Sequence, residues 1–206
     1  MVGFRTDLDV HWEFPDETHS FEALLHDQWV TGQYWERHQL PKSKRPSLPE
    51  TNKVAVARMR ALGIPQSKAP WRTVRDAIAD LPDPENGPSN IHHNHKFQPG
   101  ARRYAGHTGS PLDLPAKTLK AGDHGVPGGE NMLVRPDGAF RYFTVREAAR
   151  LQTFPDGYIF HGAWSETMRQ LGNAVPVALA RIVAASVAEK LIAASFREGF
   201  LAHSFE

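Results

Sequence analysis

Residues 141–177 set two helix starts and a chain reversal so close together that they constrain everything around them. The stretch reads RYFTVREAARLQTFPDGYIFHGAWSETMRQLGNAVPV. Thr144 followed by Glu147 is a capping box. The threonine hydroxyl can accept the backbone N–H three residues on, and the carboxylate can reach back to the cap's own N–H. A helix is therefore predicted from Val145 to about Thr153, stopped by Phe154-Pro-Asp-Gly157. Ser165 is the expected cap of a second helix, and Gly172 its expected C-terminal cap. Pro176 suits the first position of a third helix, where its missing N–H costs nothing. Val177, Ala180, Ala184, Val187 and Leu191 then recur at helical spacing. Alanine on the other faces predicts that this helix is buried closely against a sheet.

The rest of the chain is punctuated more loosely. It has 16 Gly and 16 Pro in 206 residues, so many sharp loops are expected. Ser20 is positioned to cap a short helix reaching His26. Residues 54–62 suit another helix, ended by Gly63-Ile-Pro65. Thr73 and Asp76 form a near capping box ahead of Val74, Ala77, Ile78 and Leu81, an apolar face closed by Pro82 and Pro84. Leu40-Pro-Lys-Ser-Lys-Arg-Pro-Ser-Leu-Pro49 reads as a linker. Residues 131–134 and 139–143 around Arg135-Pro-Asp-Gly138 read as a hairpin with alternating burial. Val2-Gly-Phe-Arg5 looks like the end of a strand. Trp29, Tyr34 and Trp35 beside Arg37 are either a stacking platform for bases or core anchors.

Composition excludes several chemistries. There is no cysteine, so this chain supplies no disulfide, cysteine-ligated zinc or thiolate nucleophile. The lack of disulfides fits the reducing cytoplasm, the expected compartment, with association to the nucleoid. No signal segment is visible at the start, and the uncharged run 182–188 is too short to span a bilayer. Net charge is only +1, so any nucleic-acid contact must come from local clusters of Lys, Arg and His. His92, His93 and His95 raise a metal site, but no cysteine and no clear fourth ligand accompany them. A polar loop is the better reading, and no metal is expected.

Two segments carry a resemblance. Thr144-Val-Arg-Glu-Ala-Ala-Arg-Leu-Gln-Thr-Phe-Pro-Asp156 and Arg169-Gln-Leu-Gly-Asn-Ala-Val-Pro176 resemble the last two motifs of the cytosine-5 DNA methyltransferases, in order and at the usual separation. The segment Thr73-Val-Arg-Asp-Ala-Ile78 is similar to one that precedes the family's DNA-reading region. Val2-Gly-Phe-Arg5 resembles the end of a catalytic-domain strand, although an edge strand at a natural terminus reads equally well. In the family a thiolate adds to C6 of a flipped-out cytosine, and C5 then takes a methyl group from S-adenosylmethionine. The Pro-Cys motif, the Glu-Asn-Val motif and the glycine-rich donor turn that serve this chemistry are absent here.

The resemblance implies the C-terminal part of such an enzyme. The fold class expected is α/β, a fragment of a Rossmann-like methyltransferase domain plus a small loop-rich target-recognition domain. Residues 1–40 would end the catalytic strand and its connection, 41–140 would form the recognition domain, and 141–206 would rejoin the catalytic domain. Asn173, Ala174 and Val175 are implied to line the S-adenosylmethionine pocket, although Gly172-Asn173 alone reads as a plain helix end. Thr118 and Leu119 match the family's Thr-Ile/Leu/Val pair near the flipped base. Lys117, Lys120, Arg102, Arg103 and His107 are candidate phosphate or guanine contacts. Gly122, Gly125, Gly128 and Gly129 would let the backbone approach DNA. The alternative is a solvated glycine loop with ordinary surface charge. Arg146, Glu147, Arg150 and Gln152 are expected to be structural anchors. The implied partners are double-stranded DNA and an N-terminal methyltransferase subunit that brings the missing motifs, with no catalytic residue in this chain. The rival readings are a non-catalytic DNA-binding module and an inactive remnant.

Overall fold

A computed structural model describes residues 2–63, 66–87, 89, 91–102, 108–121 and 129–202, the side chains of 196–202 excepted. The chain forms two compact units, Glu17–Ala174 and Met1–Asp16 with Val175–Glu206.

In the larger unit the local signals are mostly realised. Ser20 Oγ accepts the Ala23 N–H at 3.0 Å and starts α1 (Phe21–Leu25). A π-helical turn, His26–Thr31, leads through Gly32 into α2 (Gln33–Arg37). Helix α3 (Lys53–Leu62) ends where Gly63 turns left-handed and its N–H bonds Met59 O, as a C-terminal glycine does. Thr73 and Asp76 make a complete capping box for α4 (Val74–Ile78). Thr144 and Glu147 make another for α5 (Val145–Leu151).

The strands are short. β1 (His19–Ser20) runs parallel to β2 (Ala69–Pro70). β3 (Ser110–Pro111) runs parallel to β4 (Met132–Val134), which pairs antiparallel with β5 (Phe140–Tyr142). The expected hairpin is therefore present, closed by Arg135 N–H on Ala139 O at 2.9 Å. Its burial does not alternate. Met132 and Leu133 are both buried, and so are Arg141 and Tyr142, because protein packs on both faces.

The main core joins Val74 and Ile78 of α4, Val145, Ala148 and Ala149 of α5, Leu133, Phe143, Phe160 and Leu119. Met168 and Leu171 come from α6 (Trp164–Asn173). Burying each such side chain is worth about 1.5–3 kcal/mol. Ser165 does not cap α6. The cap position is Ala163, with no side-chain bond. Gly172 is not its C-terminal cap either, since the helix runs through Asn173 and leaves it at an extended Ala174. A second cluster of Leu24, Tyr34 and Trp35 resolves the aromatic segment as core. Trp29 packs against it, and the Arg37 guanidinium lies 5.4 Å above the Tyr34 ring.

The smaller unit departs further from expectation. Residues 2–5 form no strand, since no strand among the described residues pairs with them, and a single turn follows at Thr6–Leu8. Helix α7 (Val177–Ala202) starts just after Pro176. The described residues of its own unit include no strand that could cover it. Leu179, Ile182 and Ile192 are 52%, 46% and 57% exposed. Its contacts include Trp12 Nε1, which donates to Ser186 Oγ at 3.0 Å. Among the described residues no helix is long and apolar enough to cross a membrane.

Candidate functional site

Helix α5 is anchored by charge at nearly every turn. Glu147 receives two bonds from Arg141, at 2.6 and 2.7 Å, and one from the Thr144 N–H at 2.8 Å. All three residues are buried, so both carboxylate oxygens of Glu147 are met by protein donors, while Arg141 Nε is left without a partner. The Thr144 hydroxyl also pairs with His95 Nδ1 at 2.9 Å, while His95 Nε2 meets Pro82 O at 2.7 Å. A carbonyl can only accept, so Nε2 carries the hydrogen and Nδ1 accepts from Thr144. This places His95 in a structural role, and the described residues hold no group of side chains able to bind a metal.

Arg146 is fully buried without a close carboxylate. Its guanidinium donates to His93 O, Pro155 O and Tyr158 O at 2.7–3.2 Å, and Asp156 lies 3.8 Å away. Burial pushes its pKa down, and Asp156 opposes that shift. Arg150 binds Asp156 and Asp80 at 2.6 Å and the Ala77 carbonyl at 3.2 Å, tying α5 to α4. Gln152 Nε2 donates to Leu171 O at 2.9 Å, tying α5 to α6. The four polar residues expected to anchor this helix therefore do so.

The segment 117–121 runs along the edge of this framework. Leu119 is only 5% exposed and its side chain belongs to the main core. Lys117, Thr118 and Lys120 on either side of it are exposed. Lys117 N–H bonds Ser110 Oγ at 3.1 Å, and its ammonium group meets the Thr108 hydroxyl. Lys120 Nζ lies 3.4 Å from Glu130. Arg102 is exposed. Arg103, His107, Gly122, Gly125 and Gly128 lie outside the described residues.

Two residues that sequence reasoning missed hold this segment. Asn131 is fully buried, and its amide accepts the Lys120 N–H at 3.2 Å and donates to Lys120 O at 3.4 Å. On another side stands Gly172. A Cβ built there would lie 2.8 Å from Ala121 N and from Lys120 C, and 3.0 Å from Ala121 Cβ. An asparagine at a hairpin start and a glycine before a turn have ordinary local explanations, and nothing in the sequence marks either as a contact to residue 120.

Asn173 and Val175 are exposed, Val175 by 60%. No side-chain hydrogen bond engages the Asn173 amide among the described residues, while the Ala174 N–H closes on Leu171 O at 3.2 Å. The boundary between the two units falls between Ala174 and Val175. Elsewhere, a cleft of about 520 Å³ is bordered by His92, His93, Lys96, Gln98 and Trp164.

A mixed α/β domain with small sheets, an internally anchored helix pair and a short lysine-flanked edge segment defines the class. The C-5 cytosine-specific DNA methylase model matches residues 2–189, and the chain belongs to that family. It is similar to the type II methyltransferase M.BspRI of Lysinibacillus sphaericus, 28% identical over 209 residues, covering 92% of this chain and 38% of the relative. M.MthTI of Methanothermobacter thermautotrophicus is 31% identical over 144 residues, covering 58% and 44%. M.AplI of Arthrospira platensis is 46% identical over 77 residues, covering 37% and 22%. The chain thus spans less than half the length of these relatives.

Proposed function

We propose that this chain is the DNA-reading, pocket-completing portion of a DNA (cytosine-5-)-methyltransferase, and that another polypeptide supplies the thiolate, the glutamate and the glycine-rich donor turn. The observation that carries the proposal is α7. Large aliphatic side chains on a helix are normally turned to a core, yet Leu179, Ile182, Leu191 and Ile192 of α7 are each at least 39% exposed. Such a surface suits a helix that packs on more of a Rossmann-like methyltransferase fold than these residues contain. The lack of any cysteine points the same way, because the reaction needs a thiolate nucleophile.

Within that reading, Asn173, Ala174 and Val175 hold part of S-adenosylmethionine. The residue types fit it, since an exposed asparagine amide can meet a polar edge and an exposed valine an apolar face of an adenosyl group. The bound donor supplies the methyl group. The chain's own share is to fix where the donor and the DNA stand. Thr118 and the backbone of 117–121 face the target bases, because the Leu119 side chain is committed to the core. Lys117, Lys120, Arg102, Arg103 and His107 offer cations to phosphates or guanines, and each phosphate contact steepens the salt dependence of binding.

The test is reconstitution. This chain, an N-terminal methyltransferase fragment carrying the Pro-Cys and Glu-Asn-Val motifs, labelled S-adenosylmethionine and duplex DNA are combined. Methyl transfer to cytosine is expected only with both chains present. Folded partners that associate and transfer nothing would sink the reading and leave a DNA-binding module or a remnant. Binding of DNA by this chain alone, read by gel shift across salt concentrations, separates those two.

A further inference from the structure

Gly172 sits inside the last turn of α6, where glycine costs about 1 kcal/mol relative to alanine and no left-handed backbone requires it. Its use lies across the gap. The Lys120–Ala121 peptide passes so close that any Cβ at 172 would meet backbone atoms at 2.8 Å, a distance real Cβ atoms do not adopt. Backbone cannot swing aside as a long side chain can. A methyl group there must push the 120–121 backbone or the end of α6.

The same peptide is held from other directions. Asn131 bonds both Lys120 N and Lys120 O, and Leu119 is plugged into the core. The segment carrying Thr118 therefore has little freedom to absorb a push. The next residue after Gly172 is Asn173, so the helix end that presses on Lys120–Ala121 also carries the start of the proposed donor turn.

We propose that Gly172 is a positioning residue for DNA reading. By lacking a side chain it lets the end of α6 seat the 117–121 segment backbone to backbone, with Asn131 clamping the same peptide. The inference rests on the reading above that this segment faces DNA. It adds that sequence preference depends on a residue that touches no DNA.

The experiment uses the full chain and a pool of randomised duplex DNA, with sequencing of the bound fraction. Wild type is expected to enrich a short sequence. Gly172→Ala is expected to stay folded with its thermal midpoint lowered by several degrees, and to keep its affinity for the unselected pool. Its preference for the enriched sequence over the pool should fall about tenfold, the scale of one or two lost base contacts. A merely structural glycine would lower the midpoint in the same way and spare the preference. If Gly172→Ala does not fold, Asn131→Ser takes its place. It loosens the same peptide without touching α6 and is expected to lower the same ratio. A folded variant of either kind that enriches the same sequence as sharply as wild type overturns the proposal and leaves the DNA-reading assignment standing. A wild type that enriches nothing overturns the DNA-reading assignment itself, and this proposal with it.

Discussion

The unit Glu17–Ala174 and the unit Met1–Asp16 with Val175–Glu206 differ in how far their side chains find partners inside the unit. The first closes an apolar core and buries charged groups against specific partners, as Glu147 is by Arg141 and Thr144, although single apolar residues such as Val54 and Ile91 stay exposed. The second leaves large apolar residues such as Leu179 and Ile192 in the open. Charge buried with its partners marks a fold that is finished locally. Exposed apolar helix surface marks one whose counterpart lies elsewhere. The lesson is that completeness is a property of each unit, to be judged from how its most expensive groups are satisfied.

Substitutions can sharpen or break this contrast. The largest effect is expected at Glu147. Glu147→Ala strands a buried guanidinium and the Thr144 N–H, and should cost about 3–5 kcal/mol in a urea melt. A loss below about 1 kcal/mol would mean that water reaches the pair. Next comes Thr144→Ala, which removes a helix cap and the partner of His95 Nδ1, expected to cost about 1–2 kcal/mol.

A third expectation concerns acid. Burial raises the Asp76 carboxyl, but bonds from the Thr73 N–H and hydroxyl and from His38 more than offset this and leave it below its ordinary 3.8. A depressed carboxyl contributes stability above its unfolded value and loses it as pH falls through the folded one. Asp76→Asn should therefore lower stability at pH 7 and flatten the loss below about pH 4, seen in melts from pH 7 to pH 2. An unchanged acid limb would exclude Asp76 as its source. The smallest effect is expected in α7. Leu179→Gln with Ile192→Gln should change stability by no more than about 0.5 kcal/mol while reducing self-association in light scattering. A cost of several kcal/mol would show these side chains packed, and the contrast between the units would fail.

What the sequence made legible follows the range of each interaction. The capping boxes at Thr73 and Thr144, the Gly63 stop and the turn 135–138 are set by residues within four positions, and all form. The roles of Arg146, Glu147, Arg150 and Gln152 were legible as anchors, although their carbonyl and carboxylate partners were not. Asn131 and Gly172 escaped because their meaning depends on residue 120, which no local pattern links to them. The sheet against α7 was expected from apolar pattern, and the strand at 2–5 from apolar pattern and a resemblance. Pattern records what a segment can bury, not whether a partner is there to cover it.

The two capping boxes carry a consequence for how the larger unit assembles. At Thr73 the hydroxyl lies 2.8 Å from Tyr34 Oη, and at Thr144 it is claimed by His95. Each cap is thus completed by a residue about 40–50 positions earlier, at sequence separations of 39 and 49. Helices α4 and α5 are only five and seven residues long, too short to persist in water alone. Their first turns must wait for distant chain to arrive, so helical signal and tertiary burial should appear together during refolding, in a single slow phase governed by loop closure.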